Sequence, residues 1–127
     1  MKHDFGMLLL RLCPALTMLC AHGWGKLTDF TNKMDQFPDP FGVGSPVSLA
    51  MAVFAEVFCA AAVALGIFTR WTVIPLIITM CVAFFFIHSA DPWQKKELAF
   101  MYLSFFLVIL LLGPGKYSFD GLVRKKL

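Results

Sequence analysis

Six ionisable side chains stand inside long apolar stretches or at their edges: Arg11, His22, Lys26, Glu56, His88 and Glu97. Charge inside a bilayer is costly, so such groups usually face a bundle interior and hold partners. A histidine exchanges protons near neutrality. A lysine or arginine stabilises developing negative charge, and a carboxyl group relays protons. His22, Glu56 and His88 are therefore the candidate catalytic residues, and Arg11, Lys26 and Glu97 the candidate substrate-binding ones. At ~100° per residue His22 falls ~20° from Arg11 around one helix and Lys26 ~60°, so the three share a stripe. Glu56 lies about ten residues down its own apolar run, ~15 Å deep. The expected arrangement is a buried Arg11–Glu56 pair flooring a polar pocket, rimmed by His22, Lys26, His88 and Glu97. Each residue also has a plain structural role. Arg11 and Glu56 could fix helix register, Lys26 and Glu97 could snorkel, and each histidine could be a hydrogen-bonded interfacial residue.

Metal chemistry finds less support. His22 and His88, on two helices, could ligate haem, but no c-type attachment motif is present and haem is disfavoured. A His/Glu metal site lacks the Glu-x-x-His repeats of di-iron bundles, so no metal is expected. Cys13, Cys20, Cys59 and Cys81 all fall in apolar runs and form no C-x-x-C pair. They signal neither zinc nor a dithiol redox couple and read as small packing residues.

The elements that must position these groups follow from composition. Of 127 residues, 59% are hydrophobic and 15% charged, and the mean hydropathy is +0.76. A soluble domain carries ~25% charged residues and at this size has too little interior to hide so much apolar surface. Composition excludes a soluble globule, a disordered chain and a charged nucleic-acid binder; the net charge of +3 does not change that. The lipid bilayer is the expected partner, and nucleic acid is not.

Four apolar runs cover roughly 5–27, 46–68, 71–88 and 98–112. A spanning helix needs ~20 such residues, so the fourth is short unless Lys95–Glu97 begin it at the interface. The first holds Arg11, His22 and Lys26 and reads as a span, not a signal peptide. The connection 28–45 is rich in Pro and Gly and reads as irregular chain. Thr69-Arg70 marks a tight hairpin, and Gly113-Pro114-Gly115 stops the last helix before a short polar tail. Lys2, Arg70, Lys116, Arg124, Lys125 and Lys126 fall on one side of the spans; Lys33, Lys95 and Lys96, with Lys26 at the edge, fall on the other. The positive-inside rule then puts both termini in the cytoplasm. Trp24, Trp71 and Trp93 sit at span ends, as interfacial aromatic residues do. The expectation is one all-α domain over residues 1–127, an integral membrane four-helix bundle.

The order of several short motifs resembles the DoxX family of small four-helix membrane proteins. They are Arg11 early in the first span, His22-Gly23-Trp24-Gly25-Lys26-Leu27 at its end, and Glu56 followed by Leu65-Gly66-Ile67-Phe68-Thr69-Arg70. His88, Glu97 and Gly113-Pro114-Gly115-Lys116-Tyr117-Ser118-Phe119-Asp120 complete the set. Relatives in that family include the membrane subunit of a thiosulfate:quinone oxidoreductase, and others are associated with resistance to quinones, catechols or thiol oxidative stress. The resemblance implies a multi-pass protein of the bacterial inner membrane. It also implies quinone as the ligand to look for, in redox chemistry or oxidative-stress resistance. Two alternatives stand beside it: a non-catalytic anchor or assembly subunit for a soluble oxidoreductase partner, and a small-molecule exporter working as a homo-oligomer.

Overall fold

The computed structural model describes residues 2–126 and, for side chains, 2–123. The side chains of Arg124, Lys125 and Lys126, counted above for orientation, lie outside the described residues. Every regular element among the described residues is helical. In chain order these are α1 (Lys2–Thr28), a single-turn α2 (Phe30–Lys33), α3 (Ser45–Leu65) and α4 (Thr69–Ile87). Then come α5 (Trp93–Leu112) and α6 (Phe119–Lys126). Three of them, α1, α3 and α4, are long and apolar enough to cross a membrane. α5 is 20 residues long, and its first turns carry Lys95, Lys96 and Glu97.

The expected runs become helices because long apolar stretches must satisfy their backbone groups internally once water is excluded. α5 starts at Trp93, ahead of its apolar run, so Lys95–Glu97 do open that helix. Two elements depart from expectation. The connection 28–45 contains α2, and the polar tail contains α6, where Phe119, Leu122 and Val123 fall at helical spacing and stay exposed.

α3 is the most enclosed helix. Its buried Ala52, Ala55, Ala60 and Ala64 let neighbouring backbones come close, as small residues do between membrane helices. Ala15 and Met18 of α1, Val63 of α3, Val73 and Leu76 of α4, and Phe106 and Ile109 of α5 form one core against it. The outward faces carry Leu9, Leu16, Phe54, Phe58, Phe85 and Leu111, all exposed. So continuous an apolar surface is suited to lipid and not to water.

The end of the bundle where α3 turns into α4 is locked by the tail. Gly66 ends α3 at φ 75° and Phe68 adopts φ 45°. Asp120 then caps α4, its carboxylate accepting from Phe68 N at 2.8 Å, Thr69 N at 2.9 Å and the Thr69 hydroxyl at 2.9 Å. Such a carboxylate satisfies orphan N–H groups and meets the positive end of the helix dipole. A side chain at Gly66 would collide with Ser118.

Arg11 completes this lock, which corrects the expected Arg11–Glu56 pair. Its buried guanidinium donates to Ala64 O at 3.3 Å, Pro114 O at 2.6 Å and Tyr117 O at 2.7 Å. The end of α3 and the chain after α5 leave carbonyls without helical partners there, and the five-donor fork of arginine reaches three at once.

Candidate functional site

At the opposite end, α1, α3, α4 and α5 diverge around a cavity of about 500 Å³, open on one side. Its walls are mostly apolar, with Met18, Ala52, Met80 and Ala99 among them. His22, Lys26, Glu56 and His88 line it together. Four of the six sequence candidates thus converge, and the other two do not. Arg11 is in the tail lock. Glu97 stands exposed outside the lining, and Lys95 lines the cavity instead.

The polar groups are arranged unevenly. Lys26 Nζ donates to Glu56 Oε1 at 2.6 Å, so lysine takes the place expected for Arg11. Glu56 is 3% exposed. His22 lies within electrostatic reach of both members of the pair. Its ring meets Tyr102 of α5 edge-on, with centroids 5.5 Å apart. His88, just past the end of α4, sits near the mouth, where its Nδ1 is 2.8 Å from Asp91 Oδ2.

Local backbone explains why these groups meet. α1, α3 and α4 each contain a π-helical turn, at Leu19–Gly23, Phe54–Cys59 and Ala83–Ile87. The first contains His22, the second contains Glu56, and His88 follows directly on the third. π turns interrupt helices most often at functional sites. Arg11 stays on the inward face of α1 with Ala15 and Met18, but it stands eleven residues before His22, ~16 Å along the helix, so it does not share the site with His22 and Lys26. Gly23 lets the two interrupted helices touch, since a Cβ there would run into the backbone carbonyl of Glu56.

The α2–α3 connection covers the mouth. Phe37, Pro38, Pro40 and Phe41 line the cavity, and Phe41 packs edge-to-face on Phe86 of α4 at 5.6 Å. Asp39 ties this segment to the start of α3. It accepts from Val43 N at 3.1 Å, Gly44 N at 2.7 Å and the Ser48 hydroxyl at 2.9 Å. Desolvation raises its carboxyl pKa, but the hydrogen bonds from Gly44, Ser48, Val43 and Gly42 together outweigh that and hold it below the usual range.

Sequence reasoning missed Tyr102. It is a buried cavity residue whose hydroxyl has no hydrogen-bond partner among the described residues. The signal was available: Ala99, Tyr102, Phe106 and Ile109 recur at three- and four-residue steps, so Tyr102 lies on the inward stripe of α5. Among the described residues no group of three or more His, Cys, Asp or Glu converges in a way that could hold a metal ion. Cys59 is buried beside the Glu56 turn, whereas Cys13 and Cys20 face outward.

The DoxX family model matches residues 6–89, a stretch that contains His22, Lys26, Glu56 and His88. The chain belongs to the DoxX family. The inner membrane protein YqjF of Escherichia coli strain K12 is 31% identical over 128 aligned positions, covering 97% of this chain and 95% of that protein. Two uncharacterized proteins of Haemophilus influenzae are also similar. One is 30% identical across 86% of this chain and 84% of its own length; the other is 26% identical across 80% and 71%. No solved structure matches the chain. With three helices able to cross a bilayer, this DoxX protein is a multi-pass protein of the bacterial inner membrane.

Proposed function

We propose that the DoxX protein binds a quinone-like ring compound in this cavity and supports quinone-linked redox chemistry there. The observation that carries the reading is the Lys26–Glu56 ion pair, 2.6 Å long, set beside His22 in a mostly apolar, open cavity. Apolar walls with a few convergent polar groups are what a small-molecule site needs. A quinone becomes a quinol by taking up two electrons and two protons. His22 exchanges protons beside the ligand, and His88 with Asp91 passes them to water at the mouth. Lys26 stabilises negative charge as it develops on a ring oxygen. The electrons come from a soluble oxidoreductase partner docked on the protein. In this reading α5 also crosses the membrane, both termini are cytoplasmic and the cavity opens outward.

The test is binding of 2-methyl-1,4-naphthoquinone to purified protein in lipid nanodiscs. Saturable binding that falls tenfold or more in His22→Ala and Glu56→Gln supports the reading. Wild-type protein that binds no quinone overturns it. Variants that stay functional in the cell while a stoichiometric partner co-purifies identify an anchor subunit instead.

A further inference from the structure

Five polar side chains of the cavity wall are hydrogen-bonded, and those of His22 and Lys95 are not fully buried and can reach water. Lys26 and Glu56 hold each other, and His88 holds Asp91. The Ser48 hydroxyl donates to Asp39, and that of Thr79 to the Pro75 carbonyl. The Tyr102 hydroxyl is different: Tyr102 is 5% exposed, and its oxygen is buried without a hydrogen-bond partner among the described residues. A buried hydroxyl left unpaired is costly, and a phenylalanine would fill the same space without that cost. The ring is also held on two sides, edge-on to His22 at 5.5 Å and stacked on Phe106 at 5.9 Å. These contacts hold the ring in place in the wall of the cavity.

We infer that the Tyr102 hydroxyl is the hydrogen-bond donor that selects the ligand, an uncharged ring compound bearing a carbonyl oxygen. The inference rests on reading the cavity as a ligand site and adds the residue that discriminates. A phenol hydroxyl with a free proton seeks an acceptor. The neighbouring charges of Lys26 and Glu56 cancel, and the other lining cation, Lys95, is exposed and can stay in water, so the buried part of the wall does not call for an ionised ligand. The surrounding Met18, Ala52, Met80 and Ala99 favour an apolar ring. A site built to hydrogen-bond one ligand oxygen rejects the analogue lacking it, because the buried donor is then left unpaired.

The test uses the full chain in lipid nanodiscs and three probes sharing a naphthalene ring: 2-methylnaphthalene, 2-acetylnaphthalene and 2-methyl-1,4-naphthoquinone. Wild-type protein is expected to bind the ketone about tenfold more tightly than the hydrocarbon, the scale of one well-made buried hydrogen bond. Tyr102→Phe is expected to lose that preference while binding the hydrocarbon as before. Without ligand, Tyr102→Phe unfolds at the same temperature as wild type or higher, because it removes an unpaired hydroxyl. A preference retained in Tyr102→Phe, or absent in wild type, overturns the inference. So does a ligand-free variant that unfolds earlier or does not fold, since the hydroxyl then serves the fold. Quinone binding indifferent to Tyr102 sinks this inference and leaves the quinone reading standing. A Tyr102-dependent ketone preference without quinone binding does the reverse.

Discussion

Lys26 and Glu56 form an asymmetric pair: the Glu56 side chain is 4% exposed and that of Lys26 22%, with nitrogen and oxygen 2.6 Å apart. Losing one partner differs from losing the other. Lys26→Met strands an enclosed carboxylate and is expected to lower stability by about 3 kcal/mol. Glu56→Gln leaves a lysine that can swing toward the mouth, so its loss is smaller. The double variant recovers part of the Lys26→Met loss. Reversible unfolding in mixed micelles checks this, with a coupling energy of about 1–3 kcal/mol in the double-mutant cycle.

Arg11 belongs to the other end of the molecule, and its variants separate fold from function. Arg11→Ala orphans the carbonyls of Ala64, Pro114 and Tyr117. The expected cost is about 5 kcal/mol or more, since three hydrogen bonds from a charged group are lost at ~1.5–3 kcal/mol each. Arg11→Lys is expected to restore little of it, because an ammonium lacks the planar fork. Thermal unfolding should show both losses. Quinone affinity of whatever fraction remains folded should be unchanged, because Arg11 lies outside the cavity lining.

How much of this was legible beforehand depends on the range of the signal. Hydropathy located the long helices because spanning a bilayer demands one property over ~20 residues. Ionisable residues in apolar runs marked His22, Lys26, Glu56 and His88 because burying charge is costly wherever it occurs. Partner choice was not legible. Arg11 and Glu56 looked matched in charge and depth, yet Arg11 answers to carbonyls more than fifty residues away in sequence, at Ala64, Pro114 and Tyr117. The three π turns left no mark in a periodicity read at 3.6 residues per turn. Tyr102 was passed over because a tyrosine in an apolar stripe looks like packing until its hydroxyl is followed to a partner.

The membrane path of α5 gives a third prediction. Lys95, Lys96 and Glu97 lie in its first turns and Gly113 just past its end, so a crossing puts Ser89 and Lys116 on opposite faces. In a background with Cys13, Cys20, Cys59 and Cys81 replaced by alanine, Ser89→Cys should react with an impermeant maleimide added outside intact spheroplasts. Lys116→Cys should react only after lysis. Labelling of both from outside would mean that α5 does not cross.

Gly23 is the close contact between the two interrupted helices. A methyl group there meets the Glu56 carbonyl and the Val57 side chain, so Gly23→Ala must push α1 away from α3. The displaced groups are His22 and Lys26, and the ion pair lengthens. The expected loss is about 2 kcal/mol, within the range for overpacked sites, together with quinone binding weakened beyond what the stability loss explains. Gly25→Ala, on the same helix with only the tip of Lys33 nearby, is the control: it should leave quinone binding unchanged and raise stability by at most ~1 kcal/mol through helix propensity.

Asp39 gives the pH dependence. Its carboxyl is held below the ordinary value of 3.8 by hydrogen bonds from Gly44, Ser48, Val43 and Gly42, which together outweigh desolvation. A group whose folded pKa is depressed stabilises the fold above its unfolded pKa. That contribution disappears as pH falls through the folded value. The covering segment should therefore stay latched from neutral pH down to about pH 4, near the unfolded carboxylate value, and loosen progressively below it. Amide exchange of Val43 and Gly44, corrected for the intrinsic pH effect, should lose protection in that window. Asp39→Asn removes the carboxylate that holds these amides, so its exchange should already be fast at neutral pH and show no such transition. Persistent protection in Asp39→Asn would mean that the contact of Phe41 with Phe86 holds the segment and Asp39 does not.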